Sequence, residues 1–404
     1  MPKKADAVII GGGVMGCAIA YNLAKQGLKS IVIEKSDIGG EASGSNGGGV
    51  RQSARNLKEM PLAMESIQIY GRLHEELGMD VEYVREGNLR LCTSDEELES
   101  MRQSVENQKT TGLELEMLDR KQVLEINPYV GEKVIGASYC PTDGHVNPFL
   151  VTYGFFKKAK SLGAQFHTHE EAREIRLQKG KVSAVVTDKN TFETDLVVDA
   201  AGTTGRKVAN MVGLDFPMRP LFSEALITEP YPALFKQMVG HAKGLFYGRQ
   251  TVHGPFFWGG FVGTEQFIYR EGKPLFHYIG PATSQMVIDF FPVLKDVHVI
   301  RTWSGLIAQM SDGLPVLGFA QEVPGFVFAT GFSGHGFGLA PVIGRLISEL
   351  IMDCTTSIPI SDFCYGRFSR GSDQECACQG NAACTTFTAI CPMKREWLKS
   401  IKSQ

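Results

Sequence analysis

The order of apolar and polar positions near the start of the chain predicts a strand, a helix and a second strand. Residues 7–10 are four consecutive apolar residues, and residues 30–33 form a similar short run. Between them, residues 18–24 carry apolar side chains at the spacing of an amphipathic helix. Short apolar runs on either side of a helix are typical of parallel strands that are buried on both faces. The pattern therefore predicts a β-α-β unit.

Further helix and strand signals alternate along the rest of the chain. They consist of apolar residues at helical spacing, glycine stops and a cap at Ser94. The predicted helices span residues 56–80, 94–110, 148–160 and 341–352, and the predicted strands span residues 86–91, 165–168 and 196–198. Residues 216–310 have fewer helix signals, more aromatic residues and several hairpin turns, which favour a β-rich unit.

The glycines after the first strand fit a turn that binds the phosphates of a dinucleotide. Gly11 would make the strand-to-helix turn, Gly13 would let the backbone approach a pyrophosphate, and Gly16 would let the helix pack closely on the strand. Glu34 ends the second strand, where an acid accepts hydrogen bonds from a ribose. The alternative is a glycine-rich turn that only closes a β-α connection. The register of strand, glycines, helix and acid favours nucleotide binding.

Three later segments also predict contact between backbone and a long ligand. Residues 39–49 are rich in glycine and serine and lead to Arg51, residues 199–202 read Asp-Ala-Ala-Gly, and residues 331–336 surround His335 with glycines. A loop with few side chains can lie flat against a ligand. Because these segments come from both ends of the chain, the nucleotide-binding domain is predicted to be discontinuous.

We therefore predict an α/β fold, α+β overall, with a discontinuous Rossmann-like domain and a β-rich substrate domain. The Rossmann-like domain is assigned residues 1–80, 140–215 and 312–368, the substrate domain residues 81–139 and 216–311, and a cysteine-rich C-terminal tail residues 369–404. The length of 404 residues exceeds what one core usually holds, so two domains or one elaborated domain are expected.

Charge and hydropathy exclude two other classes of protein. Lys plus Arg total 41 and Asp plus Glu total 44, so a net charge of −3 gives no basic face for nucleic acid. No apolar run reaches the ~18 residues that span a bilayer. The apolar stretch behind Lys3 and Lys4 breaks into glycines and lacks a small-residue cleavage site. We therefore expect no signal peptide, a cytoplasmic location and reduced thiols.

Together the motifs resemble those of the D-amino-acid oxidase superfamily, the FAD-dependent amine oxidoreductases that include glycine and sarcosine oxidases. The resemblance runs from residue 6 to about residue 368 and rests on five ordered segments: residues 11–16 with Glu34, 43–51, 199–202, 301–305 with 312–313, and 331–336. Within that group the chain looks most like the β subunits of heterotetrameric sarcosine oxidase, dye-linked proline dehydrogenase and opine oxidase, and the FAD subunit of hydrogen cyanide synthase.

The resemblance implies that the chain binds FAD in an extended form. Glu34 would contact the adenosine ribose, residues 43–48 the pyrophosphate and ribityl chain, and residues 331–336 the pyrimidine edge of the flavin. It also implies an α-type partner subunit in a hetero-oligomer, and it admits an FMN at a subunit interface. The residues assigned to the cofactor are Gly11, Gly13, Val14, Met15, Gly16, Glu34, Lys35, Ser43, Ser45, Asn46, Gly47, Gly48, Ala172, Ala201, Gly202, Gly305, Asp312, Gly331, Ser333, Gly334, His335 and Gly336.

Two positions depart from the pattern of these families. Gly338 stands where monomeric sarcosine oxidase has a lysine that binds the substrate carboxylate, so substrate anchoring must differ. Pro148 stands about where the heterotetrameric enzyme has the histidine that bonds covalently to flavin, and no cysteine or histidine is placed as in the covalent members. We therefore expect noncovalent FAD.

Three residues are candidates for catalysis, each with a structural alternative. Arg51 follows the glycine loop, where its guanidinium would bind a substrate carboxylate or polarise the flavin, or would only tie down the loop. His335 would act through its imidazole or only through its backbone. His253 lies on the strand pair expected to cover the flavin, where it would line the site or only close a turn.

The C-terminal tail carries a cluster of thiols. Cys376, Cys378, Cys384 and Cys391 lie within 16 residues of one another. Four thiolates can hold zinc or an iron–sulfur cluster, and a cluster would suit a dehydrogenase that passes electrons onward. The alternative is a tail of reduced thiols without a metal.

These inferences predict FAD-dependent oxidation of an amino-acid amine to an imine, which water then hydrolyses. Proline, hydroxyproline, sarcosine and opines are the candidate substrates. Two rival hypotheses stay open: oxidation of a hydroxy acid or glycerol phosphate on a similar fold, and an electron-relay subunit without its own substrate. Residues 216–310 show no basic phosphate-binding cluster, which counts against glycerol phosphate.

Overall fold

Two large β-sheets organise the protein. The structure is a computed structural model that describes residues 3–260 and 279–368. A six-stranded sheet forms the centre of the Rossmann-like domain, and an eight-stranded sheet forms the β-rich domain. The predicted fold class is therefore confirmed.

The six-stranded sheet is parallel except at one edge. Its strands, in spatial order, are β19 (Val316–Phe319), β20 (Phe326–Thr330), β13 (Val197–Asp199), β2 (Ala7–Ile10), β3 (Ser30–Ile33) and β9 (Gln165–His167). Only β19 runs antiparallel to its neighbour. Because these strands come from distant parts of the chain, the domain is discontinuous. Its exact boundaries stay a prediction.

Both faces of this sheet are buried, which explains why its strands read as unbroken apolar runs. Ile9 and Val32 enter one core, whereas Val8 and Ile31 enter the other. The helices α1 (Val14–Lys25), α3 (Met60–Leu77), α6 (Pro148–Ser161) and α9 (Gly336–Asp353) cover the first face. The second face packs on α7 (Gly205–Asn210) and on a four-stranded sheet of β1 (Lys3–Lys4), β12 (Thr191–Glu193), β11 (Lys181–Thr187) and β10 (Ala172–Gln178).

The eight-stranded sheet has one face in a core and one face toward the Rossmann-like domain. Its strands, in spatial order, are β18 (Val299–Met310), β14 (Met218–Pro230), β17 (Pro255–Gly260), β16 (Phe246–Gln250), β15 (Met238–His241), β5 (Asn88–Cys92), β7 (Gly136–Cys140) and β6 (Glu116–Asp119). Leu89, Val239 and Trp258 are buried on the core face. The remaining elements are α2 (Ala42–Ser45), α4 (Asp95–Lys109), α5 (Arg120–Ile126), α8 (Ile279–Phe290) and a small sheet of β4 (Gly49–Val50) and β8 (Gly144–His145).

Helix α9 differs from its prediction because it starts five residues earlier, at Gly336 instead of Pro341. A proline inside a helix cannot donate to the carbonyl four residues before it. Here the Tyr70 hydroxyl donates to that carbonyl, Phe337 O, at 2.8 Å. A contact from a distant helix therefore satisfies the acceptor and lets α9 begin before its proline. The prediction of a β-rich unit over residues 216–310 also missed the helix α8, which lies within that range.

The Ser94 cap was predicted correctly, since its Oγ accepts a hydrogen bond from Glu97 N at 3.2 Å. Among the described residues, no helix is both long and apolar enough to cross a membrane. Cys17, Cys92 and Cys140 are free, buried thiols, but Cys364 is disulfide-bonded, which corrects the expectation that all thiols are reduced.

The predicted metal ligands Cys376, Cys378, Cys384 and Cys391 lie outside the described residues. Within residues 3–260 and 279–368, no group of three or more His, Cys, Asp or Glu side chains is arranged to hold a metal ion. The zinc or iron–sulfur prediction therefore gains no support.

Candidate cofactor and substrate site

A cavity of about 560 Å³ lies between the two large sheets. Gly11, Gly13 and Glu34 line it, and we call the part beside them the glycine-turn end. Arg51 and His335 also line it, and we call the part beside them the inner end. The volume falls within the range of small-molecule and cofactor sites.

The glycine turn leads into α1 with the geometry that the sequence predicts. Gly11 has a φ of +112°, and a Cβ there would overlap the carbonyl oxygen of Ala200. A Cβ on Gly16 would overlap the carbonyl oxygen of Gly11, so this glycine permits close packing of the helix. Gly13 caps α1 without a side-chain hydrogen bond. Val14 N, at the amino end of the helix, instead donates to Ser43 Oγ at 2.9 Å, and both residues line the cavity, where the helix end favours an anion such as a phosphate.

Glu34 holds a fixed position at the end of β3. Its Oε2 accepts a hydrogen bond from Gly12 N at 2.7 Å, and its Oε1 accepts from Ser36 N at 2.8 Å and Ser36 Oγ at 3.0 Å. The side chain is buried but lines the cavity. A carboxylate held in this way fits the hydroxyl groups of a ribose.

The loop from Ser43 to Gly48 is held by contacts within itself and with the substrate domain. Asn46 Nδ2 donates to Ser43 O at 2.7 Å, and its Oδ1 accepts from Gly48 N at 2.8 Å. A Cβ on Gly47 would overlap the ring of Phe257 on β17. The Asn46 side chain therefore shapes this loop, and Gly47 lets it approach the eight-stranded sheet.

Arg249 on β16 ties the same loop to the strand β8. Its Nε donates to Gly47 O at 2.6 Å, and its Nη2 donates to Val146 O at 2.9 Å. Its Nη1 lies 3.3 Å from His145 Nδ1. Burial, and then the charge of Arg249, lower the pKa of His145 to about 3, so this imidazole is neutral.

Arg51 lines the cavity but part of its guanidinium is used by its own loop. Its Nη1 donates to Ser53 O at 2.6 Å and to Ala54 O at 2.9 Å. The backbone N–H of Gln52 donates to the buried Asp143 carboxylate at 2.6 Å. Arg51 thus makes the contacts expected if it only holds its own loop in place. Whether it also binds substrate stays a prediction.

His335 forms a buried cluster with two residues that the sequence did not single out. Its Nδ1 lies 3.2 Å from Glu59 Oε2, and Arg55 Nη2 donates to His335 O at 3.2 Å. Arg55 Nη1 lies 3.8 Å from Glu59 Oε1. Burial is the largest influence on both pKa values. Burial lowers the pKa of His335. At Glu59, burial acts to raise the pKa, but the hydrogen bond from His335 and the charge of Arg55 outweigh it, so the pKa of this carboxyl lies below its ordinary value.

Most residues predicted from the sequence line the cavity. They are Gly11, Gly13, Val14, Met15, Glu34, Lys35, Ser43, Ser45, Asn46, Gly47, Arg51, Ala172, Ala201, Gly202, Gly305, Gly331, Ser333, Gly334, His335 and Gly336. Their contacts with a bound cofactor stay a prediction.

Four predicted residues do not line the cavity. Gly16 and Gly48 instead let backbone segments approach each other. Asp312 accepts a hydrogen bond from Arg367 Nε at 2.8 Å. The side chain of His253 is 72% exposed in the turn before β17, with Nε2 2.9 Å from Glu82 Oε1. This placement gives the assignment of His253 as catalytic no support, because the side chain is exposed and does not line the cavity.

The sequence analysis did not single out Arg55, Glu59, Asn88 and Arg90. Of these, Arg55, Asn88 and Arg90 line the cavity, and Glu59 contacts His335. Tyr247, on the strand pair that the resemblance expects to cover the flavin, also lines the cavity. One signal was present in the sequence. In residues 88–92, Asn88 and Arg90 alternate with Leu89 and Leu91, which predicts that the polar pair shares one face of a strand.

The six-stranded sheet, the glycine turn and the cavity are the features of a protein that binds a dinucleotide. Residues 6–350 match the family described as DAO, FAD dependent oxidoreductase. The chain belongs to this family and is an FAD-dependent oxidoreductase.

Comparisons with individual proteins agree with the family. The chain is 27% identical over 370 residues to dimethylglycine dehydrogenase, mitochondrial, of Mus musculus, covering 86% of this chain but only 42% of that protein. It is 27% identical to an opine oxidase subunit from Rhizobium meliloti, covering 86% of this chain and 96% of that one. The crystal structure of L-proline dehydrogenase from P. horikoshii matches with a TM-score of 0.85 and 31% identity, over 93% of this chain and all of that chain.

The residues present fit FAD. The amino end of α1, with the Ser43 hydroxyl beside it, suits a pyrophosphate, and the Glu34 carboxylate suits a ribose. Gly11 and Gly47, which line the cavity, have no side chain because a Cβ would collide with Ala200 O and with the Phe257 ring. The same cavity is also lined by Arg51 and His335.

Proposed function

We propose that this chain oxidises the amine of an amino acid to an imine, with a substrate of the proline, hydroxyproline, sarcosine or opine type. Membership in the FAD-dependent family supports an oxidation. The names of similar proteins refer to dimethylglycine, opines and L-proline, each an amine that carries a carboxylate. The observation that carries the proposal is the charge at the inner end of the cavity.

Positive groups outnumber negative ones at and behind the inner end. Arg51, Arg55 and Arg90 line the cavity, and Arg249 is buried behind it. The carboxylates that act on these four guanidinium groups are the three of Glu59, Asp143 and Glu82. Positive charge in a buried site attracts a carboxylate and disfavours an ammonium, because it lowers the pKa of a neighbouring amine. An amino acid bound here would keep its carboxylate charged and its amine neutral, as oxidation of the amine requires.

His335 would take the proton that the substrate ammonium loses. The Glu59 carboxylate can only accept a hydrogen bond, so the N–H of a neutral His335 is on Nδ1. The other ring nitrogen, Nε2, then has the lone pair that can take a proton. Burial lowers the pKa of His335, so the ring is neutral at pH 7. His335 also lines the cavity. We therefore assign it the role of proton acceptor.

When bound, FAD would supply the hydride acceptor for the carbon next to the amine. The protein would orient the substrate and exclude water from the reacting atoms. Phe257 packs against the Gly47 backbone, and its ring lies 5.8 Å from that of Trp303. The two rings thus form an aromatic surface against the loop on the side of the sheet.

The test of this proposal is product analysis with an artificial electron acceptor. The purified holoprotein is incubated with phenazine methosulfate and proline, hydroxyproline, sarcosine or an opine, and products are identified by mass spectrometry. We expect acceptor reduction with at least one amine, and one imine or its hydrolysis product for each acceptor reduced. Turnover of lactate or glycerol phosphate without turnover of any amine would instead support the hydroxy-acid alternative.

We further propose that the chain is the catalytic subunit of a hetero-oligomer and binds FAD noncovalently. The match to an opine oxidase subunit over nearly its whole length supports a partner chain. Pro148 begins α6 at the position of the covalent histidine and has no nucleophilic side chain. Acid denaturation should release all flavin into the supernatant. Purification from the native host should yield a complex of two or more different chains, and full activity of the chain alone would contradict the partner.

A further inference from the structure

Arg249 on β16 joins segments that are far apart along the chain. Its Nε donates to Gly47 O at 2.6 Å, in the loop of residues 43–48 that we call the cofactor loop. Its Nη2 donates to Val146 O at 2.9 Å, and Val146 N donates to Gly48 O at 2.9 Å. The two carbonyls that Arg249 binds belong to residues 202 and 103 positions away. One side chain of the eight-stranded sheet therefore holds the cofactor loop and the segment beside it.

The third contact of the guanidinium is with an imidazole. Arg249 Nη1 lies 3.3 Å from His145 Nδ1, and His145 Nε2 lies 3.1 Å from Lys236 O. Because a guanidinium only donates and a carbonyl only accepts, the lone pair of His145 is on Nδ1 and its proton is on Nε2. Burial, and then the charge of Arg249, lower the pKa of His145 to about 3, so the ring is neutral. His145 is thus a fixed acceptor that orients the guanidinium.

The contacts of Arg249 fix geometry and do not neutralise its charge. All three direct partners are neutral groups. Glu82, the carboxylate that acts on Arg249 electrostatically, accepts a hydrogen bond from Asn147 Nδ2 at 3.1 Å. A guanidinium directs its N–H groups along fixed lines in one plane, whereas a lysine ammonium is a single point on a flexible chain. Since Arg249 and His145 are 5% and 1% exposed, a lost contact would leave a buried polar group unpaired.

The residue that Arg249 holds is in close contact with the same sheet at two other side chains. The Tyr247 phenol, two residues before Arg249 on β16, lies beside the Gly47 backbone. A Cβ on Gly47 would lie 2.3 Å from Cε1 of Phe257 on β17. Gly47 also lines the cavity. The sheet therefore determines where this part of the cavity wall lies.

We propose that Arg249 is a positioning residue that holds the cofactor loop in the conformation that receives FAD, and that His145 orients its guanidinium. Ser45, Asn46 and Gly47 of this loop line the cavity. Without the donor to Gly47 O, the loop would adopt more than one conformation, and ordering it would weaken FAD binding. This role does not depend on which substrate the protein oxidises.

The affinity for FAD tests the proposal without turnover. The Kd is measured by diluting the holoprotein and following the fluorescence of released flavin. We expect Arg249→Lys to raise this Kd about tenfold, because an ammonium cannot reach the three acceptors together. Arg249→Gln should raise it at least as much. At saturating FAD, the visible circular dichroism of the flavin should also change in both variants, whereas a loss of stability alone would leave that spectrum unaltered.

Arg120→Lys is the matched control. Arg120 also donates to backbone carbonyls, with Nη1 2.9 Å from Gly131 O, but it does not line the cavity. The substitution therefore removes the same kind of contact elsewhere in the substrate domain. We expect no change in the Kd for FAD or in the flavin dichroism.

Two substitutions of His145 test its role, and they decide the matter if the Arg249 variants fail to fold. In His145→Gln, the amide oxygen can accept from Arg249 and the amide N–H can donate to Lys236 O, so the Kd for FAD should stay within about threefold of the unmodified value. His145→Leu leaves a guanidinium N–H unpaired and should raise the Kd about tenfold.

Unchanged FAD affinity and flavin dichroism in Arg249→Lys and His145→Leu would overturn the proposal. So would effects of equal size in Arg120→Lys. Normal affinity in Arg249→Lys beside weak affinity in Arg249→Gln would also overturn it, because charge and not position would then matter. An affinity that His145→Gln retains and His145→Leu loses supports the proposal, whether or not any amine is oxidised.

Discussion

The indole nitrogen of Trp303 donates a hydrogen bond to the backbone carbonyl of Ser45 at 3.0 Å. Trp303 belongs to β18 of the eight-stranded sheet, and Ser45 ends α2 in the loop expected along the cofactor. Two residues further along β18, a Cβ on Gly305 would lie 2.9 Å from the Ser45 Cβ. One hydrogen bond and one close approach thus fix the substrate sheet against the cofactor loop.

Replacing Trp303 should therefore weaken cofactor binding. Trp303→Phe removes the N–H donor to Ser45 O, and we expect the Kd for FAD to rise about fivefold, the equivalent of about 1 kcal/mol. The measurement is titration of the apoprotein with FAD. Trp258→Phe is the matched control, because its Nε1 has no partner among the described residues and its ring lies in the core on the other face. Equal effects of the two variants would contradict the role of the hydrogen bond.

Glu34→Gln should lower the affinity for FAD by about tenfold, because a hydrogen bond from a ribose to a charged acceptor is stronger than one to an amide. The same substitution also weakens the bond that holds Gly12 N. FAD titration by fluorescence measures the effect. Asp37→Asn, an exposed acid three residues along the chain, should leave the affinity unchanged. A normal affinity in Glu34→Gln would mean that the ribose lies elsewhere.

Glu59→Gln should destabilise the protein by about 3 kcal/mol, because it leaves the buried Arg55 without its anion. The substitution should also remove the carboxylate charge that favours the tautomer of His335 with its proton on Nδ1. Urea denaturation of the holoprotein measures the free energy of unfolding. The control is Glu65→Gln, which breaks the partly exposed ion pair with Arg345 and should cost much less. Similar losses in both variants would argue against a buried charge cluster.

Asp199 should make the protein less stable as the pH rises. Burial raises the pKa of its carboxyl from 3.8 to about 8, although Ala201 N donates to Oδ1 at 3.1 Å. Between pH 3.8 and about pH 8, the folded state therefore keeps a proton on Asp199 that the unfolded state has released. The stability that this proton provides is present below pH 3.8 and is lost progressively up to about pH 8, by at most about 1.4 kcal/mol per pH unit.

Asp199→Asn imitates the protonated acid and should abolish this loss. Compared with the unmodified protein, the variant should gain stability steadily between pH 5 and about pH 8 in urea denaturation, a window set by the raised pKa of Asp199. Asp353→Asn, an exposed acid at the end of α9, should show no such trend. A difference that does not vary with pH would show that Asp199 is ionised in the folded protein.

The features that the sequence predicted correctly depend on neighbours along the chain. The β-α-β unit follows from apolar spacing, and the glycine turn follows from steric demands within residues 11–16, which the structure confirms. Alternation in residues 88–92 contained the signal for Arg90, but it did not indicate which face would meet the cavity. That depends on the pairing of β5 with β15, which joins residues about 150 apart in the chain.

Other features depend on contacts that no local pattern encodes. Glu59 lies in a helical stretch rich in apolar residues, and its role becomes visible only when His335 reaches it from the other end of the chain. The early start of α9 depends on the Tyr70 hydroxyl. His253 was assigned to the site from its strand pair, yet its place in a turn directs it to solvent.

The most direct test of the central claim, that this chain oxidises amino-acid amines through its own FAD, is anaerobic reduction of the holoprotein. The flavin absorbance band is followed after addition of proline, sarcosine or alanine, with tetrahydrofuran-2-carboxylate, methoxyacetate and lactate as matched compounds in which oxygen replaces the nitrogen. The account predicts bleaching by at least one of the amines and by none of the oxygen compounds. A flavin that no amine bleaches, or that lactate bleaches instead, would contradict it.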